Sequence, residues 1–201
     1  KLQIGIPAET CLQEKRMPLT PDAVQLLNEH GHEVIIETEA GKDAHYSDKD
    51  YSEAGAKIVY SAKEVFEADM IIKVEPPSEA EIDLMKKGQT LISALQLKTR
   101  QKKYFKSLMK KGVTALSFEN IEDEDGIVPV VRSMSEIAGN TSILIAAEYL
   151  SNANDGKGFL LGGVSGVPPT EVVIIGAGTV GTFAARTALG LGANVKVFDR
   201  S

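Results

Sequence analysis

The sequence predicts an α/β protein of two domains, each built around a parallel sheet. Three observations lead there. From residue 1 to about residue 120, short apolar β-rich runs alternate with amphipathic stretches whose apolar residues recur every three or four positions. A carboxylate-rich break follows at Ile121-Glu122-Asp123-Glu124-Asp125-Gly126, and the chain then ends in a strand, a glycine turn, a helix and a second strand. The predicted strands of the first domain are residues 2–7, 33–38, 57–60, 70–75, 90–95 and 114–118. Most are nearly continuous hydrophobics rather than alternating ones, which places them in a parallel sheet covered on both faces by helices. Thr20-Pro21-Asp22 opens the first helix, with Thr20 as cap and Pro21 preset at the first helical position, and the helix runs over residues 23–30 to Gly31.

The carboxylates of residues 121–126 cannot be buried together, so this stretch is a solvated turn, and without the ligand pattern of a calcium loop no metal is expected. Residues 134–150 read as one long helix of small and aliphatic side chains. The expected organisation is a first domain over residues 1–131, a linking helix over 132–151, and the second domain from 152 to 201.

Composition narrows the function classes. With 43% hydrophobic and 25% charged residues over 201 positions, the chain is globular rather than disordered. A formal net charge of -6 lacks the basic excess a nucleic-acid binder needs, so nucleic acid is excluded as a partner. Cys11 is the single cysteine and can form no internal disulfide, and no apolar run approaches the roughly 18 residues of a membrane span. A cytoplasmic protein without membrane contact is expected.

The motif that carries chemistry lies near the end. Glu171-Val172-Val173-Ile174-Ile175 is followed by Gly176, Ala177, Gly178, Thr179, Val180 and Gly181, then by an apolar-faced helix and the strand Asn194-Val195-Lys196-Val197-Phe198. In this order the glycines have separate tasks: Gly176 makes the tight turn, Gly178 lets a pyrophosphate approach the backbone, and Gly181 lets helix pack on strand. Asp199 falls at the roughly 20-residue interval where an acid accepts hydrogen bonds from the adenosine ribose, which favours NAD over NADP. Arg200 beside it is a residue type that accommodates a 2′-phosphate, and a glycine turn used only for packing is the competing reading. A complete dinucleotide fold needs about six strands, so the coenzyme domain is expected to be truncated at Ser201.

Several segments resemble the alanine dehydrogenase family: Ile4-Gly5-Ile6-Pro7, Glu14-Lys15-Arg16-Met17-Pro18-Leu19-Thr20-Pro21, Ile71-Ile72-Lys73-Val74-Glu75-Pro76-Pro77, Met134-Ser135-Glu136-Ile137-Ala138-Gly139 and the stretch from Leu161 to Pro169. The α subunit of proton-translocating nicotinamide nucleotide transhydrogenase shares this layout. The resemblance implies NAD-dependent oxidative deamination of L-alanine to pyruvate and ammonia, in a homo-oligomer, a hexamer by family likeness. Hydride exchange between nucleotides and non-catalytic dinucleotide binding are the alternatives. It also implies that the substrate carboxylate and carbonyl are held by Arg16 and Lys73. Chemically an arginine fork suits a carboxylate, though a solvated arginine and a snorkelling lysine would leave the same trace. Gln96 departs from the family, which has a histidine acid/base there; a glutamine orients but does not titrate. The resemblance places a further acid beyond Ser201. Ser135 is read as near the coenzyme or as a helix cap, and Glu119 as facing the cleft or as a solvated strand end.

Overall fold

The computed structural model describes residues 1–200 and divides into two units, Lys1–Asn120 and the remainder from Ile121. Each is treated by itself.

In the first unit the elements are β1 (Gln3–Ile6), α1 (Pro21–Glu29), β2 (Glu33–Glu37), α2 (Asp48–Glu53), β3 (Lys57–Val59), α3 (Ala62–Val65), β4 (Met70–Ile72), α4 (Glu79–Leu84), β5 (Thr90–Ser93), α5 (Lys102–Lys111) and β6 (Thr114–Ser117). All six strands are parallel, in the order β3-β2-β1-β4-β5-β6. The apolar character of the strands has the predicted cause. Val34 and Ile36 of β2 pack with Ile6, Val24 and Tyr51, whereas Ile35 between them packs with Val65, Phe66, Ile71 and Leu91. Successive side chains of one strand therefore enter two separate cores, one on each face of the sheet. Gly5 is required by this packing: a Cβ there would stand 2.6 Å from the Val65 carbonyl oxygen.

The helix ends follow their sequence signals. Thr20 accepts the Ala23 amide ahead of Pro21, and Ser78 with Glu81 forms a reciprocal capping box at α4. Strands β4 and β5 are shorter than the predicted 70–75 and 90–95. Past Ile72 the amides of Val74 and Glu75 are taken by the side chain of Glu9 rather than by a neighbouring strand, at 2.6 and 3.4 Å.

The strand order reverses between β1 and β4. In a parallel sheet such a reversal opens a crevice at the carboxyl ends of the two strands, because their crossovers leave to opposite faces. The segments that follow β1 and β4 contain Glu9, Glu14, Arg16, Lys73 and Glu75.

The second unit contains α6 (Pro129–Leu150), β7 (Glu171–Ile175), α7 (Thr179–Gly190) and β8 (Asn194–Phe198), with β7 and β8 parallel and in register. Ile143, Leu161, Ala184, Ala188 and Ala193 form its core. Two boundaries differ from expectation. Helix α6 starts at Pro129, five residues before the predicted start at Met134, because a proline at the first turn is preset for the helix. The division falls after Asn120 rather than at 131. Instead of standing apart as a linker, α6 lies so close to α7 that a Cβ on Gly139 would meet the Val180 carbonyl oxygen at 2.4 Å. The acidic loop is a solvated turn in which Asp123 accepts the amides of Asp125 and Ile127. Among the described residues no helix is long and apolar enough to cross a membrane.

Candidate functional site

The crevice of the first unit is built on a buried ion cluster. Lys73, immediately after β4, is 1% exposed, and its Nζ lies 3.1 Å from both Glu9 Oε2 and Glu81 Oε1. Burial pushes the Glu9 carboxyl above its ordinary range, opposed by the Lys73 charge and by the two backbone amides it accepts. Glu81 adds a mechanical link, since its other oxygen closes the cap of α4 through the Ser78 amide at 2.7 Å. Lys73 was expected to present its ammonium to a substrate. The structure places that ammonium beneath two carboxylates, where it fixes the ends of β1 and β4 and the start of α4.

Arg16 and Glu75, in the same two segments, are more accessible than this cluster. Arg16 is half exposed and is clasped by Glu14, Nε to Oε1 at 2.8 Å and a terminal nitrogen to Oε2 at 2.5 Å. The clasp holds the Glu14 carboxyl below the usual carboxylate range and raises Arg16 further. On its other side Arg16 approaches Glu75 Oε1 at 3.8 Å. Gln96 completes the group: its side-chain amide donates to Glu75 Oε2 at 2.9 Å, and its backbone amide to Glu119 Oε2 at 2.8 Å. Gln96 sits at φ 50, a left-handed conformation uncommon for a residue with a side chain. The bond from its amide to Glu119, which also accepts Ser117 Oγ at 3.0 Å, holds it there. Glu119 is thus tied into this hydrogen-bonded group.

Arg16, Gln96 and Glu119 fall in one linked group, Arg16 to Gln96 through Glu75 and Gln96 to Glu119 through its backbone amide, and the structure adds Glu9, Glu14, Glu75 and Glu81. The one sequence signal for Glu75 was its place two residues beyond Lys73 at the end of an apolar run. For Glu9 and Glu81 there was none, because their partner is set by tertiary packing.

In the second unit β7 leads directly into the glycine turn. Gly176 has φ 105, which a side chain would strain, and neither Gly176 nor Gly178 has an atom within 4 Å of where a Cβ would stand. The space over Gly178 is therefore open to an incoming group. Gly181 is the opposite case: its Cβ would fall 1.9 Å from the Gly176 carbonyl oxygen. Helix α7 starts on Gly178 without a side-chain cap, leaving its first amides for an anion. Asp199 accepts the Ala177 amide at 2.5 Å, so the acid beyond β8 is aimed at the loop over residues 176–181. These residues fit a dinucleotide: an open backbone for the pyrophosphate and a carboxylate for the ribose. Ser135, partly buried, is the seventh residue of α6, which removes its reading as a helix cap.

Comparison with known proteins agrees with both halves. Residues 5–138 match the family described as alanine dehydrogenase/PNT, N-terminal domain, and residues 142–201 match its C-terminal domain. Alanine dehydrogenase of Mycolicibacterium smegmatis is 44% identical over 197 residues, covering 98% of this chain and 53% of that protein. The Staphylococcus epidermidis enzyme of the same name is 43% identical over 198 residues with the same coverage. Among solved structures, an L-alanine dehydrogenase superposes with TM-score 0.94 at 44% identity, over 100% of this chain and 55% of that one. A transhydrogenase from Sinorhizobium meliloti superposes with TM-score 0.83 at 26% identity, over 96% and 58%. The chain spans about half the length of the curated relatives it matches. It belongs to the alanine dehydrogenase/PNT family.

Proposed function

We propose that this chain supplies the substrate crevice and the pyrophosphate-binding turn of an NAD-dependent alanine dehydrogenase, which interconverts L-alanine with pyruvate and ammonia. The observation that carries this reading is the pairing of two features in one chain. One is an arginine-centred crevice at the strand-order reversal of the first sheet. The other is an open glycine turn faced by an acid on the second. The named dehydrogenases at 43–44% identity support the same reaction.

When bound, NAD supplies a hydride acceptor at its nicotinamide ring. The rest falls to the protein. The amides at the start of α7 take the pyrophosphate, and Asp199 takes the ribose hydroxyls. The Arg16 guanidinium, held rigid by Glu14, offers a charged donor to the substrate carboxylate. Lys73 acts from below by ordering the backbone of Val74 and Glu75 through Glu9. Gln96 orients its neighbours without exchanging a proton. Assembly as a homo-oligomer and a cytoplasmic location belong to the same reading and rest on family kinship.

Two results are expected. Arg16→Ala should raise the KM for alanine by about thirtyfold or more, the lower end of what losing a charged partner costs, while NADH affinity stays constant. Steady-state kinetics with alanine varied at saturating NAD checks this. Asp199→Ala should narrow the preference for NADH over NADPH by roughly ten- to hundredfold, since hydrogen bonds to a charged group contribute about 1.5–3 kcal/mol. Fluorescence titration with each nucleotide measures it; an unchanged ratio removes Asp199 as the selector.

Gln96 favours a second reading, hydride exchange between two nucleotides, because that reaction needs no proton transfer at an amino group. It predicts NAD reduction by NADPH with no response to alanine.

A further inference from the structure

The first unit holds an ionic arrangement that the proposed function leaves unexplained. If Arg16 were there only to bind the carboxylate of a keto acid, a second carboxylate beside it would be a liability. Yet Glu75 Oε1 lies 3.8 Å from the Arg16 guanidinium, and Gln96 is strained into a left-handed conformation while it holds Glu75 Oε2 at 2.9 Å. The backbone amide of Glu75 is fixed as well, by Glu9. The Gln96 amide on the carboxylate and the Glu9 bond on the backbone thus keep Glu75 beside Arg16, although its side chain is about 20% exposed.

Charge shows what such a pair is suited to. Arg16 with Glu14 and Glu75 sums to one positive and two negative charges, and Lys73 beneath is already opposed by Glu9 and Glu81. A keto acid brings only a carboxylate, which the Arg16 guanidinium attracts and the Glu75 carboxylate opposes. An α-amino acid is a zwitterion whose ammonium and carboxylate are neighbours, separated by one carbon. Laid alongside the Arg16–Glu75 pair, it sets carboxylate against guanidinium and ammonium against carboxylate, so both charges are met at once.

We infer that Glu75 is the residue that selects the amino acid, accepting the substrate α-ammonium while Arg16 holds the α-carboxylate. The inference rests on the proposed amino-acid chemistry of this crevice and names the atom that recognises the amino group. Gln96 is then a positioning residue for Glu75, which accounts for a non-titrating amide at that place.

The test is direct binding of L-alanine and of pyruvate, each alone, to the full protein saturated with NADH, where neither ligand can react without its missing partner. In Glu75→Gln, which keeps the size of the side chain and its acceptor for Gln96, alanine should bind about tenfold more weakly and pyruvate about threefold more tightly. Glu75→Asp keeps the charge and should leave the ratio of alanine to pyruvate affinity close to that of the parent. Gln96→Ala should weaken alanine less than Glu75→Gln does, since it loosens the carboxylate without removing it. Opposite shifts for the two ligands are not produced by a damaged crevice, which loses both. If Glu75→Gln leaves alanine unchanged, or moves both ligands the same way, Glu75 does not read the ammonium. If the unaltered protein binds NADH but neither alanine nor pyruvate, the proposed function fails and this inference fails with it.

Discussion

Lys73→Met is expected to destabilise the first unit by about 3–5 kcal/mol, the range for removing one partner of a buried ion pair. The lysine is 1% exposed and stands between Glu9 and Glu81, so its loss leaves two carboxylates inside the protein with their counter-charge gone. The loss should depend on pH with a definite sign. Glu9 is already pushed above the ordinary carboxylate range by burial, and without Lys73 it rises further. A carboxyl whose folded value is raised contributes stability below its unfolded value and loses it as pH rises through the folded one. The deficit of Lys73→Met should therefore be small in acid and grow toward neutrality. Urea unfolding at several pH values, followed by the near-ultraviolet signal of the buried Tyr51 and Tyr104, measures it. Adding Glu81→Gln should recover part of the deficit at neutral pH. A variant as stable as the parent at pH 7 would show that the cluster does not hold the crevice together.

Gly181→Ala is expected to lower NADH affinity about a hundredfold or more, and to destabilise the second unit by about 1–3 kcal/mol. The added Cβ would fall 1.9 Å from the Gly176 carbonyl oxygen, with Ile174 Cγ2 a further 3.5 Å neighbour, so backbone rather than a pliable side chain must give way. The atoms that must move belong to the turn that presents amides to the pyrophosphate. Gly178→Ala makes the control, because open space surrounds its Cβ position and stability should be unchanged while affinity falls. Thermal unfolding and nucleotide titration of the two variants separate packing from ligand contact. Equal stability of Gly181→Ala and parent would contradict the close approach of helix and strand.

The sheet of the first unit was legible because its signal is local: a run such as Val34-Ile35-Ile36 states that both faces are covered, and the two cores agree. The glycine turn was legible for a similar reason, since backbone freedom and helix approach each demand glycine at a fixed offset from a strand. The crevice was legible only in outline. Lys73 after an apolar run reads the same whether it reaches solvent or lies buried. Its fate was decided by Glu9, 64 positions earlier, and by Glu81 across a turn. Gln96 was visible as a departure from its family, but its contact with Glu75 spans 21 positions and has no sequence signature. The start of α6 was set too late because the stretch from Pro129 to Ser133 carries a polar Arg132-Ser133 pair, whereas the preset proline governs.

The most direct test of the central claim is NADH formation from L-alanine and NAD by the full protein across a range of pH. The account predicts alanine-dependent NADH formation that is abolished or strongly weakened in Arg16→Ala while NADH binding is retained. A protein that binds NADH yet shows no alanine-dependent rate at any pH, or that reduces NAD from NADPH regardless of alanine, would contradict it.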